Sequence, residues 1–95
     1  MTTKPKTYEG RMARLSRFDD PDTLQALRDF VGGILRGSFS PEARMVVTKY
    51  VAHDLRGEGL SAKRVFRMAE SLVNTAADAA IKGDKRILGQ CGLDA

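Results

Sequence analysis

The 95-residue chain has no tryptophan, one cysteine, one histidine, three prolines and only 6% aromatic residues. Each shortage excludes a class of explanation. Cys91 stands alone, so no disulfide forms within the chain. His53 and Cys91 fall on different segments with no motif linking them, which leaves neither a Cys/His nucleophile pair nor a zinc-ligand set. Asp19, Asp20 and Asp22 cluster, but helix capping accounts for them and the spaced calcium-loop pattern is absent. We therefore expect no catalytic residue, no metal and no cofactor. No apolar run approaches the roughly 18 residues of a membrane span, and the N-terminus lacks the apolar stretch of a secretory signal. The expectation is a non-membrane protein of a reducing cytoplasm.

What is present suits one globular domain. Hydrophobic residues make up 42% and charged residues 29%, and a chain of this length buries a core without covalent staples. The net charge of +4 is placed unevenly: residues 1–18 carry Lys4, Lys6, Arg11, Arg14 and Arg17 against Glu9, while acids and bases balance in the rest. A basic arm on a neutral body attracts phosphates or an acidic protein surface at long range, whatever the partner's chemistry.

Apolar spacing is helical throughout. Residues 1–7 read as flexible; Tyr8, Met12, Leu15 and Phe18 then share one helical face, with Arg11, Arg14 and Arg17 largely on another. Asp20-Pro21 and Ser40-Pro41 are start signals, because the side-chain oxygen accepts from a free N–H and proline at the first helical position forfeits no hydrogen bond. After the first come Leu24, Leu27, Phe30, Val31, Ile34 and Leu35, interrupted by Gly32-Gly33, where another helix approaches or the helix breaks. After the second, Ala43, Val46, Val47, Tyr50, Val51 and Leu55 share a face, although β-branching over Met45–Val51 also suits a strand. Ser61 caps a third, longest helix that ends at Gly83, with a stripe of Ala62, Val65, Phe66, Ala69, Leu72, Val73, Ala76, Ala77 and Ala80. Ile87 and Leu88 support a short last helix, after which Gly89 and Gly92 fray. The fold class is all-α: a small bundle of three main helices with short terminal helices. Residues 1–18 form a basic arm, flexible or as a short helix, and residues 19–95 a single helical domain.

The opening of the third helix is the most unusual local choice. Lys63, Arg64 and Arg67 sit where the helix macrodipole is already positive, costing a few tenths of a kcal/mol each. That placement makes sense with an anion present, since free N–H groups, dipole and basic side chains then act together on a phosphate.

The same tract resembles the helix-turn-helix family of DNA-binding domains over residues 51–68. Val51, Ala52 and Leu55 match the first helix, Gly59, Leu60 and Ser61 the turn, and Val65, Arg67 and Met68 the second helix. Arg56-Gly57-Glu58 lengthens the compact family turn by about three residues. The resemblance implies that Ala62, Lys63, Arg64 and Arg67 face the major groove or its phosphates, with the arm on the adjacent backbone. The candidate nucleic-acid-binding set is then Lys4, Lys6, Arg11, Arg14, Arg17, Ser61, Lys63, Arg64 and Arg67.

Two functions fit. One is a small non-enzymatic nucleic-acid-binding regulator. The other is a helical adaptor or inhibitor that binds another protein through an exposed apolar patch of Tyr8, Met12, Leu15 and Phe18, or self-associates as a homodimer along the alanine-rich helix over 61–82.

Overall fold

Helix starts fall where local chemistry places them. The Asp20 carboxylate accepts from the Asp22 N–H at 3.0 Å, the Ser40 hydroxyl from the Ala43 N–H at 3.2 Å, and the Ser61 hydroxyl from the Arg64 N–H at 3.3 Å. Each bond satisfies a donor that the first turn leaves without an intrahelical partner, and Pro21 and Pro41 bring a φ already suited to a helix. The computed structural model describes residues 8–15, 18, 20–90, 92 and 93. It contains α1 (Tyr8–Leu15), α2 (Pro21–Leu35), α3 (Pro41–Leu55), a 3-10 turn (Arg56–Glu58), α4 (Ala62–Lys82) and α5 (Lys85–Gln90). Among the described residues there is no strand. The stretch Met45–Val51 is helical, so proline-started capping outweighs its β-branching. Residues 1–7, Arg17, Asp19 and Cys91, on which sequence-based expectations fall, lie outside the described residues.

Glycine closes α4. Gly83 has φ +68°, its N–H donates to the Ala80 carbonyl at 3.1 Å, and the Asp84 N–H donates to the Ala79 carbonyl at 2.9 Å. This pair of bonds satisfies carbonyls that would otherwise end the helix unpartnered. A Cβ at Gly83 would meet nothing within 4 Å, so only backbone strain opposes a side chain there. Gly83→Ala should lower unfolding free energy by about 1–2 kcal/mol, read as a lower urea midpoint with an unchanged slope. Gly33 answers a different demand. A Cβ there would come within 3.2 Å of the Ser38 carbonyl oxygen, so the close approach comes from the chain's own reversal after α2 rather than from another helix.

α4 is the centre of the bundle, and α1, α2, α3 and α5 all pack on it. Val65, Ala69, Leu72, Val73, Ala76, Ala77, Ala79 and Ala80 are its buried apolar residues, and so many small side chains let neighbouring helices lie close. Leu27, Phe30 and Val31 come in from α2 and Val47, Val51 and Leu55 from α3. α3 and α4 run side by side: the Arg44 guanidinium donates to Asn74 Oδ1 at 3.2 Å, about three turns from the connection on either helix.

Several sequence expectations are corrected by this packing. Leu15 and Phe18 are buried in the core, so they form no exposed apolar patch; the side chains of Tyr8 and Met12 lie outside those described. The alanine stripe of α4 is consumed inside the molecule, which removes it as a self-association face. Ala62, Phe66, Leu35, Val46 and Tyr50 are exposed rather than core. The C-terminal segment does not fray at residues 92 and 93: Leu93 is buried, and Arg28 Nε donates to the Gly92 carbonyl at 2.7 Å. Two ends of the chain thus close over α4, one through Leu15 and Phe18 and the other through Leu88 and Leu93.

Candidate functional site

α1 lies against α4, and both helices bring arginines to the seam. Arg11 and Arg14 are three apart on α1, as Arg64 and Arg67 are on α4, and residues so spaced are neighbours on a helix surface. The two pairs line one cavity of about 360 Å³, together with Met68, Ser71 and Leu72. Its charge comes entirely from arginine, because none of the described lining residues is acidic. Met68 and Leu72 supply an apolar wall, and Ser71 a hydroxyl. Arg64 and Arg67 are exposed, whereas Arg11 and Arg14 are half-buried.

The chemistry of this arrangement is that of an anion receptor. A guanidinium is planar, carries its donors in a fixed fork, and matches the oxygens of phosphate or carboxylate two at a time. Four of them around one concavity repel one another, and Arg64 and Arg67 in addition oppose the α4 macrodipole. A bound anion offsets these repulsions, because it attracts every guanidinium and the α4 N-terminus together. The cavity is also of the size that takes a small organic ligand, for which about 300–1,000 Å³ is usual.

The expected site residues divide into three groups. Arg11, Arg14, Arg64 and Arg67 are brought together in the cavity. Lys63 and Ser61 are not in its lining: Lys63 is exposed one turn before Arg67 and extends the basic surface of α4, while the Ser61 hydroxyl is engaged in capping that helix. Lys4, Lys6 and Arg17 lie outside the described residues. Sequence reading had set the arginines of α1 apart from its packing face; the structure turns Arg11 and Arg14 toward α4 instead. It also missed Met68, Ser71 and Leu72 as site residues. A signal for Ser71 was available, because Arg64, Arg67 and Ser71 follow the three-and-four spacing of a single helical row.

His53, the only histidine, is 77% exposed at the far end of α3, with Nδ1 3.9 Å from the Asp54 carboxylate. It is not among the residues lining the cavity. No family model, curated protein or solved structure matches this chain.

Proposed function

We propose that this chain is a small, non-enzymatic nucleic-acid-binding regulator whose arginine cavity grips the phosphates of a single strand. The observation that carries this reading is the convergence of Arg11 and Arg14 with Arg64 and Arg67 on one concavity. Arg14 suits the last turn of α1, where the helix dipole favours a cation, but Arg64 in the first turn of α4 opposes the dipole of its own helix, and its placement makes sense with an anion beside it. A phosphodiester carries negative charge and presents its oxygens in the geometry that guanidinium groups match.

Two features favour a single strand over a duplex. The site is concave, so a flexible backbone can be fed into it, and half-buried Met68 offers an apolar surface for a sugar or an unstacked base. In a duplex the bases stay stacked away from that wall. The side-by-side course of α3 and α4 favours the same choice, since a helix that reads the major groove projects from its partner and is not flanked along its length.

Fluorescence anisotropy with labelled single-stranded and duplex oligonucleotides tests the proposal. With four phosphate contacts, the slope of log affinity against log salt for a single strand is about −3. Micromolar or tighter binding at about 50 mM salt should therefore weaken about 50-fold at about 200 mM. The single strand should bind more tightly than the duplex. Absence of binding at the lower salt would overturn the nucleic-acid reading, and preference for duplex would move the contact out of the cavity onto the outer face of α4.

A further inference from the structure

α3 is apolar on both sides, which a surface helix of a self-sufficient bundle is not. It carries two apolar doublets, Val46-Val47 and Tyr50-Val51, and in each the second member is fully buried while the first stands out: Val46 is 51% exposed and Tyr50 40%. Met45, at 51%, extends the outer apolar surface. Neighbouring apolar residues exposed together on one face mark a surface that another molecule covers.

The charges on that face say what covers it. Glu42 and Lys49 are both exposed, and each lies one helical turn from the Met45-Val46 pair, on opposite sides of it. An antiparallel α3–α3 contact with its two-fold axis at Met45-Val46 sets Glu42 of each copy beside Lys49 of the other. The same axis brings Met45 and Val46 together across the contact, with Tyr50 over the start of the opposite helix. A parallel pairing would instead oppose like charges. A two-fold interface requires a surface that is its own complement, and a surface built for an unrelated protein has no such requirement.

We infer that this outer face of α3 is covered by a second copy of the chain, in an antiparallel two-fold contact held by Met45, Val46 and Tyr50 and registered by the Glu42–Lys49 pairs. The inference stands apart from the nucleic-acid reading, because α3 contributes no residue to the arginine cavity. Its consequence for that reading is bivalency: a dimer presents two cavities, and one strand long enough to reach both gains affinity from the second without any new contact.

Sedimentation equilibrium of the full chain from about 1 µM to about 1 mM, at low salt, decides the matter. The mass should rise with concentration toward twice that of the chain. Glu42→Lys or Lys49→Glu alone turns two attractions into two repulsions and should shift the monomer–dimer midpoint at least about tenfold upward. The double variant E42K/K49E restores both pairs with their signs exchanged and should return the midpoint close to its original value. The Ser40 hydroxyl, which caps α3, also donates to the Glu42 carboxylate at 3.2 Å, and the recovery separates loss of pairing from loss of that bond, since the double variant still lacks Glu42. Val46→Glu should leave a monomer at every concentration. A chain that stays monomeric up to about 1 mM would overturn the inference, as would a dimer whose midpoint ignores the single charge changes or fails to recover in the double variant.

Discussion

Replacing Arg64 and Arg67 together by glutamate should abolish the proposed oligonucleotide binding at about 50 mM salt and leave the fold intact. Both side chains are exposed and both line the cavity, so they are available to a ligand and contribute little to the core. Two acids in place of two bases leave Arg11 and Arg14 to neutralise the newcomers, and the concavity no longer attracts a phosphate. The milder pair Arg64→Ala and Arg67→Ala should retain weak binding and reduce the salt slope by about 1.4 for a single strand, because each lost phosphate contact releases one fewer condensed counterion. Thermal melting supplies the independent check. Removing two like charges from a crowded arginine cluster at a helix N-terminus should change stability by no more than about 0.5 kcal/mol, and the sign should be stabilising. Marked destabilisation of the alanine pair would mean that Arg64 and Arg67 are structural, and that the cavity's charge exists for the fold rather than for a ligand.

The largest stability effect should come from α2. Leu27 has no exposed surface, on a helix wedged between α3 and α4, so truncation empties a space that three helices enclose. Leu27→Ala should lower unfolding free energy by about 2–5 kcal/mol, the lost transfer energy plus the residual cavity. For a domain whose total stability is on the order of 5–15 kcal/mol, that is a large share. Ile81→Ala is the matched comparison: Ile81 is 68% exposed on α4, and its truncation should cost less than about 0.5 kcal/mol. Urea denaturation of both variants reads the difference, and similar small losses would show that Leu27 is not in the core.

The helix boundaries and the fold class were legible in the sequence because the physics that fixes them is local. Asp20, Ser40 and Ser61 act on N–H groups two or three residues away, and Gly83 ends α4 through its own left-handed backbone and carbonyls three and four residues back. Periodicity also located much of the core, including Leu27, Val31, Val51, Ala69, Leu72 and Val73. It failed on α3, and for a definable reason. Val46 and Val47 are adjacent and both apolar, as are Tyr50 and Val51, so a stripe drawn from hydrophobicity alone is too wide. The row that turns inward, Ala43, Val47, Val51 and Leu55, is apolar throughout, whereas the row of Val46 and Tyr50 is bounded by Glu42 and Asp54.

The candidate site shows the same division. Sequence alone determined that Arg64 and Arg67 share one helical row and Arg11 and Arg14 another, since an interval of three residues is a statement about a single helix. It also determined that Lys63, Arg64 and Arg67 oppose the helix dipole at the start of α4. That these rows meet was decided by tertiary structure, because their separation is about 50 residues of chain and no local rule reaches so far. The meeting follows from burial of Leu15 and Phe18, which dock α1 and turn its arginines toward α4. Leu93 is the corresponding case at the other end: two glycines and a short helix read locally as a fraying terminus, yet the hydrophobic gain of burying Leu88 and Leu93, with the Arg28 bond to the Gly92 carbonyl, holds the segment against the bundle. Hydrogen-bonded caps act over a turn of helix and are written in the order of residues, whereas hydrophobic burial and the gathering of charge depend on which surfaces meet, and that is settled only when the helices pack.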